Sequence, residues 1–136
     1  MSNELYERGL GIRREVLGAD YVDAAISGAD AFNRDFQAFV TEAAWGRVWG
    51  DEALSRRQHS LNVLCITAAL NRPHEFRLHF MGALKNGCTL PELRGTLTQI
   101  AVYCGMPAGV DAFRIAREVL REQGIDPNSM DEPRGT

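Results

Sequence analysis

Arg72-Pro73-His74-Glu75-Phe76-Arg77-Leu78-His79-Phe80 puts a cation, a carboxylate and an imidazole beside an apolar stripe. Proline is tolerated in the first turn of a helix, where its missing N–H is not needed, so Pro73 marks a helix start. At about 100° per residue, Phe76, Phe80 and Ala83 share one face, the packing face. Glu75 and His79, four apart, stack at its edge, and Arg72 lies one turn earlier near the same seam. Two readings stay open: a pocket lined by three polar groups, or a helix with a surface ion pair and an edge histidine.

The rest of the chain divides into helix-length pieces. Leu5 to Val16 reads as a helix with the stripe Leu5, Leu10, Ile12 and Val16, stopped by Gly18. Tyr21 to Ile26 is a short helix opened by Asp20 and broken by Gly28. Asn33 is placed to cap the next helix, with Phe36, Phe39, Val40, Ala43 and Ala44, which runs into Trp45-Gly46-Arg47-Val48-Trp49. Ser55 is placed to cap Arg56 to Leu70, apolar nearly all round and so expected to be central. Its first turn holds Arg56 and Arg57, which oppose the helix dipole; an anionic ligand, an acidic residue from elsewhere, or a solvated end would account for them.

Gly87 suits the position after a helix end. Thr89 and Glu92 form a capping box for a helix with Leu93, Leu97, Ile100, Ala101 and Cys104 on one stripe. Gly105 ends that helix and Pro107 restarts the last one, with Val110, Phe113, Ala116 and Leu120 inward and Gly124 as the stop. No segment alternates like a strand. The expectation is an all-α domain of about six or seven helices over residues 1–125, with a polar tail at 126–136. Helices apolar on more than one face point to a homo-oligomer.

Composition removes several classes. The formal net charge of −3 argues against a nucleic-acid binder. No apolar run is long enough for a membrane span. The first residues lack a basic region followed by an apolar stretch, so no signal peptide is expected. Cys65, Cys88 and Cys104 are widely spaced, with neither a C-x-x-C pair nor a zinc pattern, so no metal site is expected. A reduced, cytoplasmic setting fits.

Four segments in order carry a resemblance: Glu42-Ala43-Ala44-Trp45-Gly46 with Trp49; Arg56-Arg57 with Ser60-Leu61; Glu75 with His79, Gly82-Ala83 and Asn86-Gly87; and Ala101, Tyr103, Gly105 and Pro107-Ala108. Together they resemble the carboxymuconolactone decarboxylase family. The resemblance implies the orthogonal helical bundle of the alkylhydroperoxidase-D type, built into trimers or hexamers. In the peroxidase branch a C-x-x-C ends four residues before the helix histidine; here those places hold Arg72 and Glu75, so no dithiol is available to reduce a peroxide.

The implied activity is cofactor-independent decarboxylation of 4-carboxymuconolactone to 3-oxoadipate enol-lactone, in aromatic breakdown through protocatechuate and β-ketoadipate. The lactone carbonyl, conjugated through C=C to the carbon that loses CO₂, is its own electron sink. The protein must hold the carboxylates, stabilise the oxyanion and protonate carbon. Under the resemblance, His79 is the general acid or oxyanion donor, since an imidazole changes charge near neutral pH. Glu75 orients it or shares its proton, and Glu42 is a second acid or anchors an arginine. Arg72 and Arg57 grip carboxylates, His59 contacts substrate, and Trp45 and Trp49 form a dry wall.

Two positions depart from the family pattern: Gln58-His59, where a small polar residue and an arginine are usual, and Gly95, where a glutamate is usual. They leave open a paralogous lyase or isomerase acting on another lactone or β-keto-type acid in a biosynthetic pathway. A non-catalytic ligand-binding oligomer is the other alternative.

Overall fold

The computed structural model describes residues 3–130. Among them are seven α-helices and one π-helical segment, and no strand. The helices are α1 (Asn3–Leu17), α2 (Ala19–Ser27), α3 (Arg34–Val40), α4 (Arg56–Ala69), α5 (Pro73–Lys85), α6 (Leu90–Cys104) and α7 (Met106–Glu122); the π segment, Thr41–Val48, follows α3. The all-α expectation is met. The chain falls into two compact units, Met1–Ser55 and Arg56–Thr136.

In the first unit α1 packs on α2 and on the π segment. Leu10, Ile12 and Val16 are buried, as their spacing predicts, together with Val22, Trp45 and Trp49. Backbones meet where α1 crosses the π segment. A Cβ on Gly9 would lie 2.1 Å from the Thr41 carbonyl oxygen, and one on Gly46 would lie 2.7 Å from that of Leu5. Both glycines are therefore spacers. Arg13 is buried and donates to Thr41 Oγ1 at 3.1 Å; burial lowers its pKa.

Three expectations for this unit need correction. The opening of α2 is Gly18, at φ 98°, rather than Asp20, which sits inside the first turn. Asn33 precedes α3 but does not cap it with its side chain, because Asn33 Oδ1 accepts the Asp30 N–H at 2.9 Å. Phe36 and Phe39, placed on a packing stripe by their spacing, are 61% and 65% exposed. The seven-residue α3 packs on the π segment but fully buries no residue, so Phe36 and Phe39 stay largely uncovered within the first unit.

The second unit has one core, built from Leu64, Phe76, Phe80, Leu93, Leu97 and Val119 with their neighbours. Here α4 packs on α5, α6 and α7, in the central position expected. Its buried line is mostly polar, however: His59, Ser60, Leu64 and Thr67, with Ile66 and Leu70 mostly exposed. Ser60 accepts from Asn86 Nδ2 at 2.9 Å, and Thr67 Oγ1 donates to the Val63 carbonyl at 2.7 Å, so these polar groups are satisfied inside.

Helix ends in this unit repeat one device. After α4, Arg72 N–H reaches Thr67 O and Asn71 N–H reaches Ala68 O, with Asn71 at φ 57°. After α5, Cys88 and Gly87 bond to Ala83 and Leu84 in the same pattern, with Gly87 at φ 88°. Both are Schellman motifs, which pair the last carbonyls of a helix. The Thr89–Glu92 capping box is present with both its hydrogen bonds.

The inward face of α7 is rotated from the expected one. Gly109, Ala112, Ile115, Ala116, Val119 and Leu120 are buried, whereas Val110 is 66% exposed. The contact runs through a residue that hydrophobic patterning ignores: a Cβ on Gly109 would lie 2.4 Å from Ala101 Cβ. Cys104, expected on the α6 stripe, is exposed at the helix end.

Two glycine substitutions should therefore act in opposite directions. Gly109→Ala overpacks the α6–α7 contact and should destabilise by about 1–3 kcal/mol. Gly95→Ala, where a Cβ meets nothing within 4 Å, should stabilise by up to about 1 kcal/mol. Denaturant midpoints check both, and equal shifts would refute the packing account.

Candidate active site

Helix α5 fixes His79. Phe76 and Phe80 are almost fully buried, their rings 6.3 Å apart, and Ala83 is buried on the same face. Anchoring that face carries His79, at its edge, partway into the protein. His79 is half-buried, and its Nδ1 atom is sealed from solvent. Glu75, one turn earlier, stays exposed.

Two effects compete at the imidazole. Burial disfavours the charged form, and the Glu75 carboxylate favours it. Burial wins, and the pKa is pushed down from the ordinary 6.5 to about 4. His79 is therefore neutral at neutral pH, contrary to an imidazole poised to change charge there. A neutral imidazole still has one N–H to donate and one nitrogen to accept.

The arginines are disposed differently. Arg57 is paired with Glu92, so an acidic residue from elsewhere in the chain meets the basic first turn of α4. Glu92 serves twice: Oε1 accepts the Thr89 N–H in the capping box, and Oε2 accepts from Arg57. The Thr89 backbone bond, then Arg57, hold the Glu92 carboxyl below its usual range. Sequence reasoning saw Glu92 only as a cap; the signal available was that a capping carboxylate keeps a second oxygen.

Arg72 is tied to the end of α4, with Nη1 donating to the Leu70 and Asn71 carbonyls at 3.1 and 3.4 Å. It lines a cleft of about 390 Å³ together with Phe76, and neither Glu75 nor His79 lines that cleft. His59 is buried in the first turn of α4.

Glu42, Trp45 and Trp49 belong to the first unit. Trp45 and Trp49 are buried and stacked, with centroids 4.9 Å apart and planes at 24°. Trp45 lies in the π segment and Trp49 directly after it, its N–H bonded five residues back to Ala44 O at 3.0 Å. Glu42 is half-buried on the same segment.

All three thiols are free. Cys88 is buried and donates to the Arg57 carbonyl at 3.8 Å; burial and then Glu92 push its pKa up to about 11. Burial also raises Cys65, and neither group is a thiolate at neutral pH.

Against known proteins, residues 34–118 match the model of the carboxymuconolactone decarboxylase family. The chain is 36% identical, over 93% of its length and 95% of the relative's, to a 4-carboxymuconolactone decarboxylase of Acinetobacter baylyi. It is 34% identical, over 98% of its length and 92% of the relative's, to a nitrosuccinic acid decarboxylase of Metarhizium robertsii. With the family motifs spread along both units and two decarboxylases matched end to end, the chain belongs to the carboxymuconolactone decarboxylase family and is a carboxy-lyase.

Proposed function

We propose that this carboxy-lyase takes CO₂ from 4-carboxymuconolactone, giving 3-oxoadipate enol-lactone in the protocatechuate branch of aromatic breakdown. The observation that carries the reading is the near full-length identity to a relative named for that substrate. The geometry around His79 fits the chemistry. When CO₂ leaves, the electron pair moves through the C=C bond into the lactone carbonyl, and negative charge gathers on that oxygen. The neutral imidazole donates its N–H there, which a low-dielectric setting strengthens. Glu75, exposed one turn away, exchanges the proton with solvent and passes it on when carbon is protonated. No external electron sink is needed, because the lactone carbonyl is one.

The second reading rests on the fungal relative. A carboxylate on a carbon bearing a nitro group also leaves its electrons on a built-in acceptor, here the nitro oxygens. The same oxyanion donor serves both substrates, so the active chain would act on an acid of the second type if it left the lactone untouched.

We also propose a homo-oligomer, trimeric or hexameric, in the cytoplasm. Phe32 at 96% and Tyr103 at 82% exposure support the assembly, as do the uncovered Phe36 and Phe39.

Purified protein without added cofactor should release CO₂ from 4-carboxymuconolactone, and His79→Ala should lower the rate by roughly 10²-fold or more. Near-normal turnover in that variant would remove the imidazole from the mechanism, and inert lactone with consumption of nitrosuccinate would favour the second reading. Light scattering should give a mass of three or six chains of 15.1 kDa, falling when Phe36 and Phe39 are both changed to Asp.

The imidazole also sets a pH dependence of stability. Its folded pKa of about 4 lies below the unfolded 6.5, so on acidification the unfolded chain takes the proton first. Stability from this group is full above pH 6.5 and lost as pH falls towards 4, on the order of 3 kcal/mol in all. Urea unfolding of wild type and His79→Gln across that window should show a steeper fall in wild type, the variant keeping only the slope that Glu92 and the other carboxylates give at the acidic end.

A further inference from the structure

Neither His79 nor Glu75 lines the cleft of about 390 Å³ beside Arg72, and its chemistry is specific. It is framed by the end of α4, the turn into α5, the first turn of α5, the end of α6 and the start of α7. The apolar part comes from Phe76, Ala112, Ile115 and Pro107. Its polar lining is Asn71, Arg72, Asp111 and Arg114, with Thr67, whose hydroxyl donates to the Val63 carbonyl, and the Cys104 thiol.

The charges are unequal. Arg114 is balanced, with Asp111 at 3.7 Å and Glu118 at 3.4 Å. Arg72 has no acidic partner among the described residues; its Nη1 is held by two carbonyls of the α4 terminus, which fixes the guanidinium. The Schellman turn, with Asn71 at positive φ, presents the Asn71 amide beside it. That amide makes no side-chain hydrogen bond to a described residue.

We infer that this cleft is a second ligand site, for a compact apolar monocarboxylate whose carboxylate meets Arg72 and the Asn71 amide and whose body lies on Phe76 and Ile115. A fixed guanidinium gives charge-assisted hydrogen bonds to a carboxylate. The volume is in the range of small-molecule sites. One cation without a counter-ion matches one carboxylate, and a second carboxylate on the ligand would enter a cleft that already holds Asp111. Loss of CO₂ turns a diacid into a monoacid, so the site favours a product-type ligand over a substrate-type one. That last correspondence rests on the proposed decarboxylation; binding of a monocarboxylate does not.

The probes are monomethyl adipate and adipate, which share one carbon chain and differ by one charge. Cys104 lines the cleft and is exposed, so its alkylation by iodoacetamide in the folded protein reports occupancy there. It is read after quenching and digestion by mass spectrometry of the peptide that carries Cys104, apart from the half-buried Cys65. Monomethyl adipate should slow Cys104 alkylation and adipate should do so several-fold less well. Arg72→Gln keeps a donor for the α4 carbonyls but drops the charge, and should weaken the protective effect about tenfold. Ala108→Phe, which fills the cleft, should abolish it, and His79→Ala should leave it intact. Equal protection by the two acids, protection unchanged in Arg72→Gln, or protection lost in His79→Ala would each overturn the inference. Since no outcome depends on turnover, failure of this site and failure of the proposed reaction are told apart.

Discussion

Phe76, Phe80 and Ala83 have to leave water, and α5 can bury them only by drawing the residue at their edge in as well. That residue is His79. Its desolvation outweighs the attraction of Glu75 one turn away, and the imidazole is held neutral. The charge state of the proposed site follows from this one competition. A helix rotated a little outward would leave His79 solvated and chargeable; rotated inward, it would seal the whole imidazole from solvent.

Much of this was legible in the residues. Pro73, Gly87, the Thr89–Glu92 box and Gly105 punctuate the second unit as their types require, because caps and turns depend on local chemistry. The edge position of His79 followed from helical spacing alone. Its charge state did not, since spacing says which side a residue takes but not how much water it loses. Arg57 was read as a grip for carboxylates, and Glu92, thirty-five residues on, occupies it. Pairings across that distance are set by the fold.

The errors share a cause. Hydrophobic patterning assumes that helices meet through their largest apolar side chains. At Gly9 and Gly46 in the first unit, and at Gly109 in the second, they meet through residues with none. Close approach at Gly109 turns α7 so that Val110 faces outward. Phe36 and Phe39 fit the apolar pattern, but their seven-residue helix buries neither of them within the first unit. The π turn that carries Trp45 is likewise not anticipated by patterning at α-helical spacing.

The most direct test is an NMR titration of the His79 ring in the folded protein, followed through its Cε1–H signal and assigned with the His79→Gln variant. The account predicts a midpoint near 4, with a neutral ring throughout the neutral range. A midpoint at or above the ordinary 6.5 would contradict it, because Glu75 rather than burial would then govern the imidazole, and the oxyanion would meet a full cation.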